Sequence, residues 1–400
     1  MGDNMYNSNW GYYNGKVRNA RVKKTHEPIA ILKYDFTPES KKLKASATVL
    51  YRFGKNGYTA LDWYDAPDPR PDYYRNLPSY FFMDNTDYNR LNYSKYMWAK
   101  EQWEQDIPSI THINWDRLYA VNAMNSTADG NRSKYVIEER RTDQQDLNFA
   151  ANAKWSPVNC FTLAGGLSYK WNRTEYYKIL DDLLGGDYYV NIDQFAERDY
   201  ASSVTMYQND LDYYLKNGKA QTLKQGDKYG YDYYANVRRA EAWVSGKFSK
   251  FGLDVALAGR IGYTKYWREG LLRKGLFPGL DANGQPMTYE GKPITTYDPI
   301  TGDAITSLGK SEVKDFLTGA AKLNVSYVIP GGHRVYANAA FIADAPNFNQ
   351  AFISPRTRNS IVPNLKTNKT LTADLNYAYS NSGYDVRVTG YYTAIKDQSK

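Results

Sequence analysis

The chain has 400 residues, a formal net charge of +8 and a mean hydropathy of −0.69, and 39 of its residues are tyrosine. It lacks the run of about 18 apolar residues that a membrane-spanning helix needs. Its basic residues are interleaved with acids, so the charge does not indicate nucleic-acid binding. The chain has one cysteine, Cys160, which excludes a disulfide framework. Together with only three scattered histidines it offers no zinc-like ligand set. We therefore expect no nucleic-acid partner, no metal and no cofactor.

Segments with a hydrophobic period of two recur along the chain. In residues 161–171, Phe161, Leu163, Leu167 and Tyr169 fall on one face, opposite smaller and more polar side chains. Residues 253–264 and 371–380 repeat this alternation. Together with weaker candidates the pattern predicts ten strands, at residues 28–36, 43–53, 146–155, 161–172, 240–248, 253–264, 316–328, 334–342, 371–380 and 384–392.

The connections between these strands alternate between short and very long. Within each strand pair the connection is short and rich in turn-forming residues, at residues 37–40, 156–159, 249–252, 330–333 and 381–383. Between pairs it is far longer than a usual hairpin loop, at residues 54–145, 173–239, 265–315 and 343–370. The chain is therefore predicted to form five hairpins joined by long polar loops.

This spacing is typical of an outer-membrane β-barrel, which has short turns on one side, long loops on the other and an alternating lipid-facing row. Hydrocarbon offers no hydrogen-bond partners, so strands cross it only when each backbone group is paired within the sheet. In a compact soluble domain, loops of this length would count against the strand assignment. We predict an all-β fold, a partial transmembrane antiparallel up-and-down β-barrel with long extracellular loops.

The best candidate for ligand contact is the first long loop. It combines carboxylates and an arginine with aromatic side chains suited to stacking on a sugar or another ring. The alternative is a surface loop stiffened by prolines, in which the acids pair with arginines and the aromatic residues pack on one another. The predicted ligand-binding residues are Trp63, Tyr64, Asp65, Asp68, Arg70, Asp72, Tyr73 and Tyr74.

Nothing in the sequence supports an enzyme, and no residue is predicted to be catalytic. Glu138, Glu139 and Glu175 could form a carboxylate pair for glycoside hydrolysis, but only their measured separation could support that role. The paired glycines at residues 185–186 lack the remainder of a phosphate-binding loop. We expect a non-enzyme.

Four phrases in chain order, at residues 9–15, 61–74, 114–119 and 354–359, resemble TonB-dependent outer-membrane receptors of the Bacteroidota type. Residues 363–370 partially match a phrase that precedes late barrel strands in that family, with Thr367 and Asn368 in place of the usual Pro and Glu. The resemblance covers essentially the whole chain. It implies energy-coupled import of a scarce nutrient, which could be a glycan, a peptide or a metal chelate.

The same resemblance implies that residues 1–400 supply only part of such a receptor. Barrels of this kind have about 22 strands around a plugged lumen, and we expect the plug and the last strands to be absent here. The implied partners are outer-membrane lipid, a small nutrient ligand, the TonB complex acting through the plug, and a surface lipoprotein in the glycan-importing branch. The alternatives are a passive porin-like or structural barrel and a soluble all-β carbohydrate-binding protein.

Overall fold

The computed structural model describes residues 5–82 and 93–398, which form one large antiparallel sheet with smaller elements in its loops. The strands are, in chain order, β1 Trp10–Tyr13, β2 Lys16–Asn19, β3 Lys23–His26, β4 Ile29–Phe36, β5 Leu43–Trp63, β6 Ser126–Thr127, β7 Gly130–Asn131, β8 Tyr135–Val158, β9 Phe161–Asp182, β10 Tyr189–Val190, β11 Thr222–Leu223, β12 Lys228–Lys250, β13 Leu253–Gly270, β14 Thr288–Tyr289, β15 Lys292–Pro293, β16 Gly309–Lys310, β17 Lys314–Ile329, β18 His333–Asp344, β19 Asn368–Ser380 and β20 Asp385–Lys396. The helices are α1 Pro78–Phe82, α2 Tyr93–Glu104, α3 Pro108–Thr111, α4 Trp115–Met124, α5 Gln194–Asp199, α6 Leu211–Asn217 and α7 Phe348–Ala351, and Tyr74–Asn76 forms a 3-10 turn.

The large sheet follows the chain in a simple up-and-down order. Its sequence of neighbours is β20-β19-β18-β17-β13-β12-β9-β8-β5, where β5 also pairs with β4 along its first half and with β3 along its second. All of these pairings are antiparallel. Within the described residues the two edges of the sheet do not pair with each other, so the sheet is open.

The ten strands predicted from the hydrophobic period are all present, but several are much longer than predicted. β8 begins at Tyr135 instead of residue 146, β9 continues to Asp182 instead of residue 172, and β12 begins at Lys228 instead of residue 240. The added segments lack an apolar row, because they carry tyrosines and charged residues on both faces. Backbone pairing with equally long neighbours extends these strands without a hydrophobic pattern that sequence analysis could detect.

The predicted strand segments, which lie next to the short turns, are called here the lower part of the sheet, and the added segments are the upper part. In the lower part the alternation separates two faces. One is apolar and solvent-exposed, with Leu167 59%, Leu257 60% and Leu375 62% exposed. The opposite, polar face carries small and polar residues, including a chain of hydrogen bonds in which Asn324 donates to Asn338 and Asn338 donates to Asp374. We call these two surfaces the apolar face and the polar face.

The short connections fall at the predicted turns and close the lower ends of the hairpins. Between β17 and β18, Gly331 and Gly332 have φ values of 94° and 88°, in the left-handed region that favours glycine. A Cβ on Gly332 would also collide with the carbonyl oxygen of Ser380. This turn therefore requires glycine for its backbone angles and for the close approach of a neighbouring hairpin.

The long connections fold against the upper part of the sheet in three buried clusters. One packs Trp115 and Leu118 of α4 against Tyr135 and Ile137 of β8. The other two bring β10 and β11 against β8, β9 and β12, and α7 against β13 and β17. The most deeply buried side chains thus lie where the loops cover the sheet, and the loops are ordered by this packing.

No helix in the described parts of the chain is both long and apolar enough to cross a membrane.

Candidate functional site

A cavity of about 310 Å³ lies above the polar face, where all four long connections meet the upper part of the sheet. β5, β8, β9 and β12 contribute its floor and one wall, and residues of the four connections complete its lining. Its lining includes Asp62, Glu138, Lys178, Tyr229, Lys274 and Arg356. Its volume is at the lower end of the range of small-molecule sites.

The floor of the cavity is a buried ion network centred on Lys178. Its ammonium lies 2.8 Å from Oδ2 of Asp62 and 2.8 Å from Oε2 of Glu138. Arg140 donates a hydrogen bond from Nε to the other carboxylate oxygen of Glu138, and the Tyr229 hydroxyl donates to Asp62 at 3.0 Å. The charges therefore balance within the network, and both acids are fully engaged by protein donors.

The pKa values of the network follow from this pairing. Burial alone raises the pKa of Asp62, but the Lys178 ammonium and the hydrogen bonds that Asp62 accepts bring its pKa below the usual value. For Lys178, burial lowers the pKa, and the carboxylates of Asp62 and Glu138 outweigh it, so its pKa lies above the usual range. Asp62 and Lys178 are thus held in their charged forms.

Aromatic rings form part of the cavity wall and are themselves in contact with cations. The Lys178 ammonium lies 4.1 Å from the centroid of the Tyr229 ring, and the Arg356 guanidinium lies 5.1 Å from that of Tyr231. Such contacts fix the positions of both side chains. The wall also contains Phe195, which projects from the start of α5 and is largely exposed.

Lys274 reaches the cavity from the connection between β13 and β17. Its side chain is buried, and its ammonium donates to Oδ1 of Asn209 at 2.6 Å. Burial lowers the pKa of Lys274 to about 8, although the nearby carboxylate of Asp193 raises it. Lys274 is thus a buried cation whose hydrogen-bond acceptor is a neutral amide.

The structure divides the residues predicted to bind ligand into two groups. Trp63 and Tyr64 line the cavity, and the Tyr64 hydroxyl donates to Oε1 of Glu197 at 2.8 Å. Asp65 lies on the rim, where its carboxylate is 3.1 Å from Arg132 and 3.2 Å from Lys134. Trp63 and Tyr64 are therefore the two predicted residues that share a concave site.

The remaining predicted residues form a surface loop with contacts of its own. Asp68 and Arg70 make an ion pair at 2.5 Å, and the Arg70 guanidinium lies 5.5 Å from the Trp63 ring. Asp72 is exposed, and Tyr73 packs edge-on against Tyr74 with ring centroids 4.8 Å apart. These residues thus lie outside the cavity, in a loop with Asp–Arg pairing and packed aromatic rings, and their contact with a ligand stays a prediction.

Sequence analysis missed most of the cavity. Lys178, Tyr229, Lys274 and Arg356 come from separate parts of the chain, and of these only Arg356 lies in a segment that carries the resemblance, residues 354–359. The available signal was the absence of hydrophobic alternation in residues 173–182 and 228–239, which contain many tyrosines and charges. That composition identifies a polar segment but not which of its residues converge.

The three glutamates considered for hydrolysis are separated by the structure. Glu138 belongs to the cavity network, whereas the adjacent Glu139 points to the opposite face and contacts Lys24 at 2.8 Å. Glu175 pairs with Lys228. Within residues 5–82 and 93–398, no group of three or more His, Cys, Asp or Glu side chains is arranged to hold a metal ion.

No protein-family model matches the chain, and no curated protein matches it. Among solved structures it is similar to the copper transporter OprC, with a TM-score of 0.50 and 10% identity over 96% of this chain and 41% of that one. It is also similar to the ferric-catecholate import receptor Fiu from E. coli K12 in its closed form, with a TM-score of 0.48 and 9% identity over 94% and 41% of the two chains. For the ferric citrate transporter FecA the TM-score is 0.46 and the identity 9%, over 94% and 36%.

At such low identity the likeness to OprC concerns the fold alone. The chain spans about two fifths of the length of that transporter. The large up-and-down antiparallel sheet is therefore similar to that of outer-membrane barrels, and the predicted fold class is confirmed.

Proposed function

We propose that this chain forms part of the wall of a TonB-dependent outer-membrane receptor that imports a small nutrient, and that the cavity beneath its long loops is where the nutrient is captured. In this proposal the lower part of the sheet crosses the membrane and the upper part stands outside the cell. Energy from the TonB complex would act through a plug, and a surface lipoprotein could cap the loops.

The apolar face is the observation that carries the proposal. Exposed leucines such as Leu167, Leu257 and Leu375 would be unfavourable in water but suit a hydrocarbon environment. The strands between them carry exposed apolar residues on the same face, so the leucines belong to a continuous band: Val244 on β12, Leu323 on β17 and Phe341 on β18. Such a band favours a membrane protein over a soluble carbohydrate-binding protein.

The position of the cavity supports uptake and recognition over a purely structural role. It lies above the polar face, where the loops converge, and a ligand bound there would stand at the entrance of the enclosed side of the barrel. Its charged and aromatic lining supplies the few directed polar groups and flat surfaces that small-molecule sites use. A structural barrel would need no such arrangement.

The first test is the location of the protein in the cells that produce it. We expect it in the outer-membrane fraction, released by detergent and not by high salt. Recovery as a stable monomer in the soluble fraction would contradict the membrane proposal and favour the carbohydrate-binding alternative.

The second test separates active uptake from passive diffusion. Accumulation of candidate glycans, peptides and metal chelates is measured in cells that produce the protein, with and without a functional TonB complex. We expect uptake of one of these ligand classes to require both this protein and a functional TonB complex. Uptake that persists without TonB would contradict the energy-coupled mechanism and favour a passive porin-like barrel.

A further inference from the structure

The cavity contains two buried or partly enclosed sets of cations that differ in how they are neutralised. Lys178 and Arg140 are paired with Asp62 and Glu138. Lys274 and Arg356 line the same cavity, and in the described part of the chain neither forms an ion pair with a carboxylate. Asp193 lines the cavity as well, so four cations stand against three carboxylates.

Of the two cations without an ion pair, Lys274 is the stronger evidence for an anionic ligand, because it is buried. A buried ammonium is costly unless an opposite charge or several acceptors compensate for lost hydration. Its hydrogen-bond acceptor is the neutral Oδ1 of Asn209, although three donors are available on the ammonium. The Asp193 carboxylate is near enough to raise the pKa of Lys274, but that carboxylate accepts hydrogen bonds from the backbone N–H groups of Phe195 and Ala196.

Arg356 supplies the second cation from a different loop, between β18 and β19. Its side chain is exposed and its guanidinium faces the Tyr231 ring, which leaves N–H donors available at the cavity wall. Arginine is well suited to bidentate recognition of carboxylate and phosphate groups. Two loops thus each bring a cation without an ion pair to a cavity in which Asp62 and Glu138 are paired with Lys178 and Arg140, and Oδ1 of Asp193 accepts backbone N–H groups.

We propose that the cavity binds a small ring-bearing organic anion, with Lys274 and Arg356 holding its anionic group and the aromatic wall contacting its ring. This inference rests on the proposed function and deepens it, because it assigns the chemical class of the ligand. The anionic group is a carboxylate or a phosphate, which share charge and hydrogen-bonding capacity. The ion network of Lys178 serves as the fixed floor of the site.

The test measures binding to the purified protein in detergent by calorimetry. The probes are matched acid and neutral pairs, glucuronate with glucose and benzoate with benzyl alcohol, together with glucose 6-phosphate. We expect at least one acid to bind about tenfold or more tightly than its neutral partner, because a charge-assisted hydrogen bond is lost with the anionic group. Preference for glucose 6-phosphate over glucuronate would identify a phosphate, and the reverse a carboxylate.

The variants Lys274→Met and Arg356→Gln are each expected to weaken binding of the acid about tenfold or more and to leave binding of the neutral probe unchanged. Their matched controls are Lys134→Met and Arg198→Gln, which remove a cation paired with Asp65 and an exposed cation paired with Asp199. The controls should bind the acid as the unaltered protein does. Equal losses in variants and controls would overturn the assignment.

The pH dependence gives an independent readout. Burial lowers the pKa of Lys274 to about 8, with Asp193, Lys178 and Arg268 as the charged groups that face it. As pH rises through that value the ammonium loses its proton, so affinity for the acid should fall, and Lys274→Met should abolish this step. Equal binding of acids and neutral probes at all pH values would overturn the inference, whereas anion binding without TonB-dependent uptake would overturn only the proposed function.

Discussion

The lower and upper parts of the same strands are stabilised in different ways. In β9 the lower part alternates between exposed apolar residues such as Leu167 and small inward ones such as Gly166. The upper part instead carries Lys178 in a buried ion network. The backbone pairing extends through both, although in the upper part its register shifts between Ile137 and Glu138 and between Tyr229 and Asp232, so the main change lies in the side chains.

This difference has a simple physical origin. In the lower part the backbone ladder and an apolar row are sufficient, because in a membrane lipid would solvate that row. In the proposed orientation water surrounds the upper part, and there the loops bury their own surface against the sheet and enclose paired charges. The lower part is thus a regular scaffold, and the upper part contains the cavity that we propose as the recognition site.

The largest change in the free energy of unfolding is expected from removing Lys178, the central cation of the upper part. Lys178→Met leaves Asp62 and Glu138 buried without their shared partner, which should lower the free energy of unfolding by about 3–5 kcal/mol. Denaturant titration of the protein in lipid vesicles measures this loss. Lys134→Met, on the exposed rim, is the control, and a similar small loss in both would show that the network is not what stabilises the upper part.

The next effect tests the two faces of the lower part. Leu167→Lys places a charge on the apolar face near the middle of the lower part of β9 and should cost about 2–4 kcal/mol in a membrane. Ser168→Lys places the same charge on the polar face, opposite Glu241 of β12, and should cost far less. Folding yield and unfolding free energy in vesicles measure both. Equal costs would contradict the assignment of the faces.

A smaller effect concerns packing within the polar face. A Cβ on Gly166 would lie 2.7 Å from the carbonyl oxygen of Ala151 and 2.7 Å from Nε1 of Trp243, so Gly166→Ala should destabilise the protein by about 1–3 kcal/mol. Gly246 has no atom within 4 Å of a Cβ, and Gly246→Ala should be nearly neutral. The shift in thermal unfolding temperature compares them, and a neutral Gly166→Ala would show that this contact is loose.

The smallest change in the free energy of unfolding is expected from breaking the ion pair between Asp68 and Arg70. Asp68 and Arg70 form a partly exposed ion pair, and such pairs contribute about 0–1 kcal/mol. Arg70→Gln should therefore change the unfolding free energy by less than about 1 kcal/mol. A loss of several kcal/mol in unfolding free energy would contradict this expectation and would mean that the first loop contributes substantially to the stability of the sheet.

The sequence predicts the lower part well, and the reason is visible in residues 161–172. Apolar and small or polar side chains alternate there between the two faces of the sheet, so the requirement is local and leaves a period of two in the sequence. The short turns are predicted for a similar reason, because Gly331 and Gly332 are required by local backbone geometry.

The candidate site could be predicted only in part. Trp63 and Tyr64 were identified because they lie in a phrase of unusual composition, and both line the cavity. Lys274 and Arg356 come from two other loops, and their position depends on how those loops pack against the sheet. Such long-range convergence leaves no periodic signal, so it becomes apparent only in three dimensions.

The central claim is that the lower part of the sheet lies in a membrane with its apolar face toward lipid. It is tested most directly by spin labels placed one at a time at residues 161–172 in a Cys160→Ser background, in native outer membranes. Accessibility to oxygen dissolved in lipid should alternate with a period of two, with maxima at positions including Leu163, Leu167 and Tyr169 and minima between them. Uniform accessibility along the strand, or greater accessibility to a water-soluble reagent at Leu167 than at Ser168, would contradict the account.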